Sequence, residues 1–133
     1  MKSILLLFLL LIFSATFVAC DSKDGDWESM KWETNIPITN KKHIVEASKS
    51  GDTYIFKCKN YASFWIDVLY ENGKEIPINP ENDGNVKGEW FSVSIEKNIM
   101  TVIVLPNHNN SSRYLSVGLT AGDIFDSFSF KQD

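Results

Sequence analysis

The chain is poor in cysteine, histidine and clustered cations, and each shortage removes a class of function. Its 133 residues hold two cysteines and two histidines, and 13 Lys and Arg stand against 17 Asp and Glu, for a net charge of −4. No stripe of Lys and Arg supplies the electrostatic footprint that phosphate backbones require, so nucleic acid is excluded as a partner. His43 and His108 are the only imidazoles available for acid–base work near neutral pH. Neither falls in a nucleophile or metal-ligand pattern such as Gly-x-Ser-x-Gly or His-Glu-x-x-His, and both read as solvated surface residues. The carboxylates are scattered over turns and strand exteriors, whereas a glycosidase needs a pair facing one cleft. The expectation is a protein that is not an enzyme. Glu81, Asn82, Asp83 and Asn85 gather oxygens around Gly84, but without the ligand spacing of an EF-hand loop they read as a plain flexible loop. No metal and no cofactor is expected.

What the chain does have begins at its N-terminus. Met1-Lys2-Ser3, an apolar run over residues 4–13 and small residues before Cys20 describe a secretory signal peptide too short to span a bilayer as a mature anchor. Phe17-Val18-Ala19-Cys20 resembles the lipobox of bacterial lipoproteins, which implies that residues 1–19 are removed and that Cys20 carries lipid. Lys2 is the only charged residue in that leader, so the net charge of −4 becomes −5 in the mature chain. With Cys20 committed to lipid, Cys58 has no partner, and an intramolecular disulfide is excluded. Residues 20–26, Cys-Asp-Ser-Lys-Asp-Gly-Asp, have nothing apolar to bury beyond the acylated residue and read as a flexible tether. Its acidic character is similar to the export signals of some Bacteroidetes lipoproteins, which implies an outer-membrane location facing the cell exterior.

Residues 27–133 read as one domain. Period-two patterns recur between turn signals about every ten residues, and about seven or eight strands of this kind argue for an all-β, immunoglobulin-like antiparallel β-sandwich. Residues 53–60 place Tyr54, Phe56 and Cys58 on one face against Lys57 and Lys59, which puts Cys58 in the core. Asn72-Gly73 joins strands over residues 63–71 and 74–78, and that dipeptide is a strong hairpin signal because both positions accept positive φ. Lys97-Asn98 turns a second hairpin and Gly122-Asp123 a third. Residues 27–39 and 41–47 supply two earlier strands, with Trp27 and Trp32 packing against the sheet.

The order Trp90-Phe91-Ser92-Val93-Ser94, Asn98-Ile99-Met100-Thr101-Val102, residues 107–113 and Phe128-Ser129-Phe130-Lys131-Gln132 resembles the BACON domain over residues 45–132. That resemblance implies an immunoglobulin-like sandwich on exported, often lipid-anchored proteins, with carbohydrate or mucin as a ligand. It also implies that Arg113 pairs with a carboxylate or with loop carbonyls to hold residues 107–112.

The four tryptophans raise the question of binding. If Phe64, Ile66, Val68 and Tyr70 point inward, Trp65, Asp67 and Leu69 share the outer face; by the same alternation Trp90 sides with Ser92 and Ser94. Two readings stand side by side. Trp65 and Trp90 are stacking rings for sugar, with Asp67 or Ser92 bonding hydroxyls, or they are packing residues of a sandwich. Two functions follow: a glycan-binding module, or a structural or protein-interaction module in a surface complex.

Overall fold

The structure, a computed structural model, describes residues 28–36, 43–82 and 84–133. Residues 1–19 read as leader, Cys20 read as the lipid-attachment site, residues 20–26 read as tether, Trp27, residues 37–42 and Asp83 lie outside the described residues.

Alternation of apolar and polar side chains produces ten strands among the described residues: β1 Trp32–Thr34, β2 Ile44–Ala47, β3 Asp52–Cys58, β4 Trp65–Glu71, β5 Lys74–Glu75, β6 Asn85–Lys87, β7 Phe91–Glu96, β8 Ile99–Val104, β9 Arg113–Ala121 and β10 Ile124–Gln132. They form two five-stranded sheets, β1-β3-β8-β7-β6 and β2-β10-β9-β4-β5. The pairings β3 with β8 and β4 with β9 join strands distant in sequence, as Greek-key connections require. The chain enters on β1 of the first sheet and crosses to β2, which runs parallel to the last strand. This partition of strands is that of an immunoglobulin-like sandwich, and the expected fold class is the one found.

The expected turns close where the positive-φ residues lie. Asn72 and Gly73 have φ of 49° and 81° between β4 and β5, Lys97 has 57° between β7 and β8, and Gly122 has 64° between β9 and β10. One expected strand is shorter. Residues 74–78 yield only the two residues of β5, because Pro77 has no N–H to offer a ladder.

Phe56, Phe91, Phe128, Phe130, Leu69 and Met100 are fully buried between the sheets. Phe56 and Phe128 approach to 4.3 Å between ring centroids, and Trp32 meets Phe64 and Phe128 edge-on at 5.2 and 5.1 Å. Trp32 thus packs β1 onto the core, as read from sequence. Cys58 is buried and free, its thiol facing Asn60 Oδ1 at 3.4 Å.

A β-bulge in β4 decides what the second sheet shows to solvent. Ile66 pairs with Leu119 and Val68 with Gly118, so Asp67 is the extra residue and the alternation reverses after it. Leu69 enters the core and Tyr70 turns outward, which corrects the inward placement of Val68 and Tyr70.

Candidate functional site

The outer face of the second sheet can be built row by row from strand register. Phe125, Thr120 and Trp65 are neighbours on β10, β9 and β4; Ser127, Gly118 and Val68 follow; then Ser129, Ser116 and Tyr70, flanked by Ile44 on β2 and Glu75 on β5; then Glu46, Lys131 and Tyr114. On β9 these positions alternate strictly with core residues, so Leu115, Val117 and Leu119 go inward and Tyr114, Ser116, Gly118 and Thr120 outward.

Four aromatic rings stand on this face. Trp65 is 48% exposed and Phe125 65% at one end; Tyr70 is 38% exposed and Tyr114 50% at the other. Tyr70, Tyr114 and Ile44 wall a trough of about 520 Å³ whose floor includes Ser116 and Ser129 and whose rim carries Glu46 and Lys131. That volume falls within the range of small-molecule sites. The two serine hydroxyls lie 3.5 Å apart and retain capacity for a further partner. Asn72 fixes Tyr114 in place: its Oδ1 accepts the Tyr114 backbone N–H at 2.8 Å, and its backbone N–H donates to the Tyr114 carbonyl at 2.9 Å. The lining is mostly apolar, with the two serine hydroxyls as polar points in its floor, and such a surface suits a ring that presents an apolar face and a few polar edges.

Of the residues singled out in the sequence, Trp65 and Asp67 are exposed at this face, as alternation placed them. Trp90 and Ser92 are elsewhere. Ser92, half-buried, lies on β7 of the opposite sheet, paired with Ile103. Trp90 is 7% exposed, and its expected role as an exposed stacking ring is corrected. Its indole N–H donates to Glu71 Oε1 at 3.1 Å, Phe91 meets it edge-on at 5.2 Å, and the Arg113 guanidinium covers its ring at 4.4 Å. Trp90 closes one end of the core.

Arg113 bonds chain carbonyls as the resemblance implied, but those of residues 105 and 106, ahead of residues 107–112, which Asn107 ties together through Ser111 and Asn109. One terminal nitrogen donates to the Leu105 and Pro106 carbonyls at 2.9 and 3.1 Å, and Nε donates to Gln132 Oε1 at 2.7 Å. Burial lowers the Arg113 pKa and Glu71 acts in the opposite direction; the guanidinium stays charged. Gln132, fully buried, completes the lock by donating to the Ser48 and Leu105 carbonyls, both at 2.8 Å.

His43 is not the solvated residue expected. Its ring stacks on Phe128 at 4.8 Å and Nδ1 lies 3.1 Å from Asp126 Oδ1, while Asp126 Oδ2 accepts the Trp32 indole N–H at 2.8 Å. The group ties β1 of one sheet to β10 of the other. Among the described residues, no cluster of three or more His, Cys, Asp and Glu is placed to hold a metal ion.

The sequence reading missed Tyr70, Tyr114 and Phe125. Phe125 is out of phase with Phe128 and Phe130, and Tyr114 with Leu115 and Val117, so strict alternation was a sufficient signal for both. Tyr70 carried no such signal, because the bulge reversed its phase.

Neither a family model nor a curated protein matches the chain. Among solved structures it is similar to a protein from Bacteroides thetaiotaomicron determined by NMR, at 36% identity over 85% of this chain and 93% of that one, with a TM-score of 0.74. The chain belongs to the family of that Bacteroides protein. Titin domains M1 and M4 are also similar, at 14% and 16% identity over 68% and 80% of this chain and 84% and 96% of theirs, with TM-scores of 0.44 and 0.42.

Proposed function

We propose that the chain is a non-catalytic, lipid-anchored module on the outer face of the outer membrane that binds carbohydrate through the outer face of its second sheet. The observation that carries this reading is the trough walled by Tyr70, Tyr114 and Ile44 over Ser116 and Ser129, with Trp65 and Phe125 standing further along the same face. The lipobox-like residues 17–20 and the acidic residues that follow support attachment through Cys20. A BACON-type assignment belongs with this reading, and the Arg113 and Gln132 lock around residues 105–106 supports it. A glycan array probed with residues 21–133, which contain every buried residue described, tests the proposal. Binding that disappears in Tyr114→Ala with the fold intact supports it; an array without signal refutes it.

A second reading, a protein-interaction module of a surface complex, draws on the opposite sheet. Ile55, Ile99 and Ile103 are each about two-fifths exposed and share the outer face of β3 and β8, an aliphatic stripe of the kind that protein partners cover.

A further inference from the structure

We infer that the second sheet reads an internal stretch of an uncharged, linear glycan laid along its strands, rather than a terminal or acidic sugar. This rests on the carbohydrate reading of the same face and narrows its substrate class.

Spacing sets the length of the ligand. Trp65 pairs with Thr120 and Tyr70 with Ser116, so the two aromatic stations are four residues apart along β9, about 13 Å at the rise of an antiparallel strand. A single sugar ring cannot touch both. Between them lie Gly118, Ser127 and Val68, and the Val68 side chain lies down over Gly118, where a Cβ would meet its Cγ1 at 2.7 Å. Along β9 and β10 nothing tall separates the stations, and Asp67 stands to the β4 side. A chain can therefore run from Trp65 and Phe125 across this low saddle into the trough beside Tyr70 and Tyr114. A site for chain ends would need a wall across that path, and on β9 and β10 the register places only Gly118 and Ser127 there, with Asp67 standing to the β4 side.

Charge sets its chemistry. Ser116, Ser129, Ser127, Gly118 and Thr120 make a neutral floor. The charged residues of the face sit at its margins: Glu75 on the edge strand, Asp67 in the bulge, and Glu46 beside its register partner Lys131. Lys131 is further engaged by Asp133 at 3.8 Å. Carboxylated or sulfated sugars are recognised by cations free to make charge-assisted hydrogen bonds, and this face offers one lysine already flanked by two carboxylates. Hydroxyl-rich neutral rings find matching partners in the serines, Thr120 and the two phenols.

The test uses the full chain in a detergent without a sugar headgroup. Cello-, xylo-, manno- and chito-oligosaccharides, each from disaccharide to hexasaccharide, are titrated by calorimetry beside oligogalacturonides and sialyllactose. In the series that binds, affinity should rise roughly tenfold or more from the disaccharide to the hexasaccharide, the gain expected when a second aromatic station is engaged. Trp65→Ala and Phe125→Ala should each reduce that gain with length, and Tyr114→Ala should weaken every length. Binding that is independent of length, or tighter for the acidic sugars, overturns this inference while the carbohydrate reading stands. Absence of binding in all series overturns both.

Discussion

Gln132→Met removes the polar end of a fully buried side chain while keeping its length and lack of branching. Gln132 ties three segments together, through Ser48 after β2, Leu105 after β8 and Arg113 at the start of β9. The cost can be apportioned bond by bond. The Ser48 carbonyl keeps the Gly51 amide at 3.0 Å, and the Leu105 carbonyl keeps the Arg113 guanidinium at 2.9 Å, so neither acceptor is orphaned, and each lost bond costs about 0.5–1.5 kcal/mol. Arg113 Nε has no such substitute, and a bond to a charged donor is worth about 1.5–3 kcal/mol. The thioether recovers part of this through apolar burial, which leaves a net loss of roughly 2–4 kcal/mol. Urea denaturation at equilibrium should show a lower midpoint with an unchanged slope. The exposed Ser127→Ala on the same strand should shift stability by no more than about 0.5 kcal/mol. A Gln132→Met midpoint equal to wild type would refute the reasoning, since the three bonds would then contribute nothing beyond packing.

The two tryptophans once grouped together should separate: Trp90→Ala should cost about 3–5 kcal/mol of stability as a buried large-to-small change, and Trp65→Ala about 0.5 kcal/mol or less. Equal losses in chemical denaturation would contradict the burial of one and the exposure of the other. The Cys58 thiol, 1% exposed, should resist alkylation in native protein and react promptly in denaturant; rapid native labelling would require a different register for β3. Cys20→Ala should release the protein from membranes and abolish labelling by an acyl probe, and retention of both would exclude lipid attachment at that residue.

Local rules carried the fold a long way. Asn72-Gly73 and Gly122-Asp123 were legible as turns because positive φ restricts residue choice, and Tyr54, Phe56 and Cys58 were legible as core because β3 alternates without interruption. The bulge at Asp67 was not. An extra residue in one strand depends on how its partner fits, and one such residue exchanges inside for outside. The same limit hid the burial of Trp90, which is set by Glu71 and Arg113 arriving from β4 and β9. His43 looked solvated because its partners, Asp126 and Phe128, lie on the last strand. The site was half visible in the same way: Trp65 could be read from alternation, but the trough needs β2, β10, β9 and β4 side by side, and sequence does not state that order.

The central claim, that the outer face of the second sheet is the binding surface, is tested most directly by amide shift mapping. Uniformly ¹⁵N-labelled residues 21–133 are titrated with a glycan that scores on the array. The expected shifts are confined to Ile44, Trp65, Tyr70, Tyr114, Ser116, Thr120, Phe125, Ser129 and their neighbours on β2, β4, β9 and β10. Shifts clustered instead around Ile55, Ile99 and Ile103, on the opposite sheet, would contradict it.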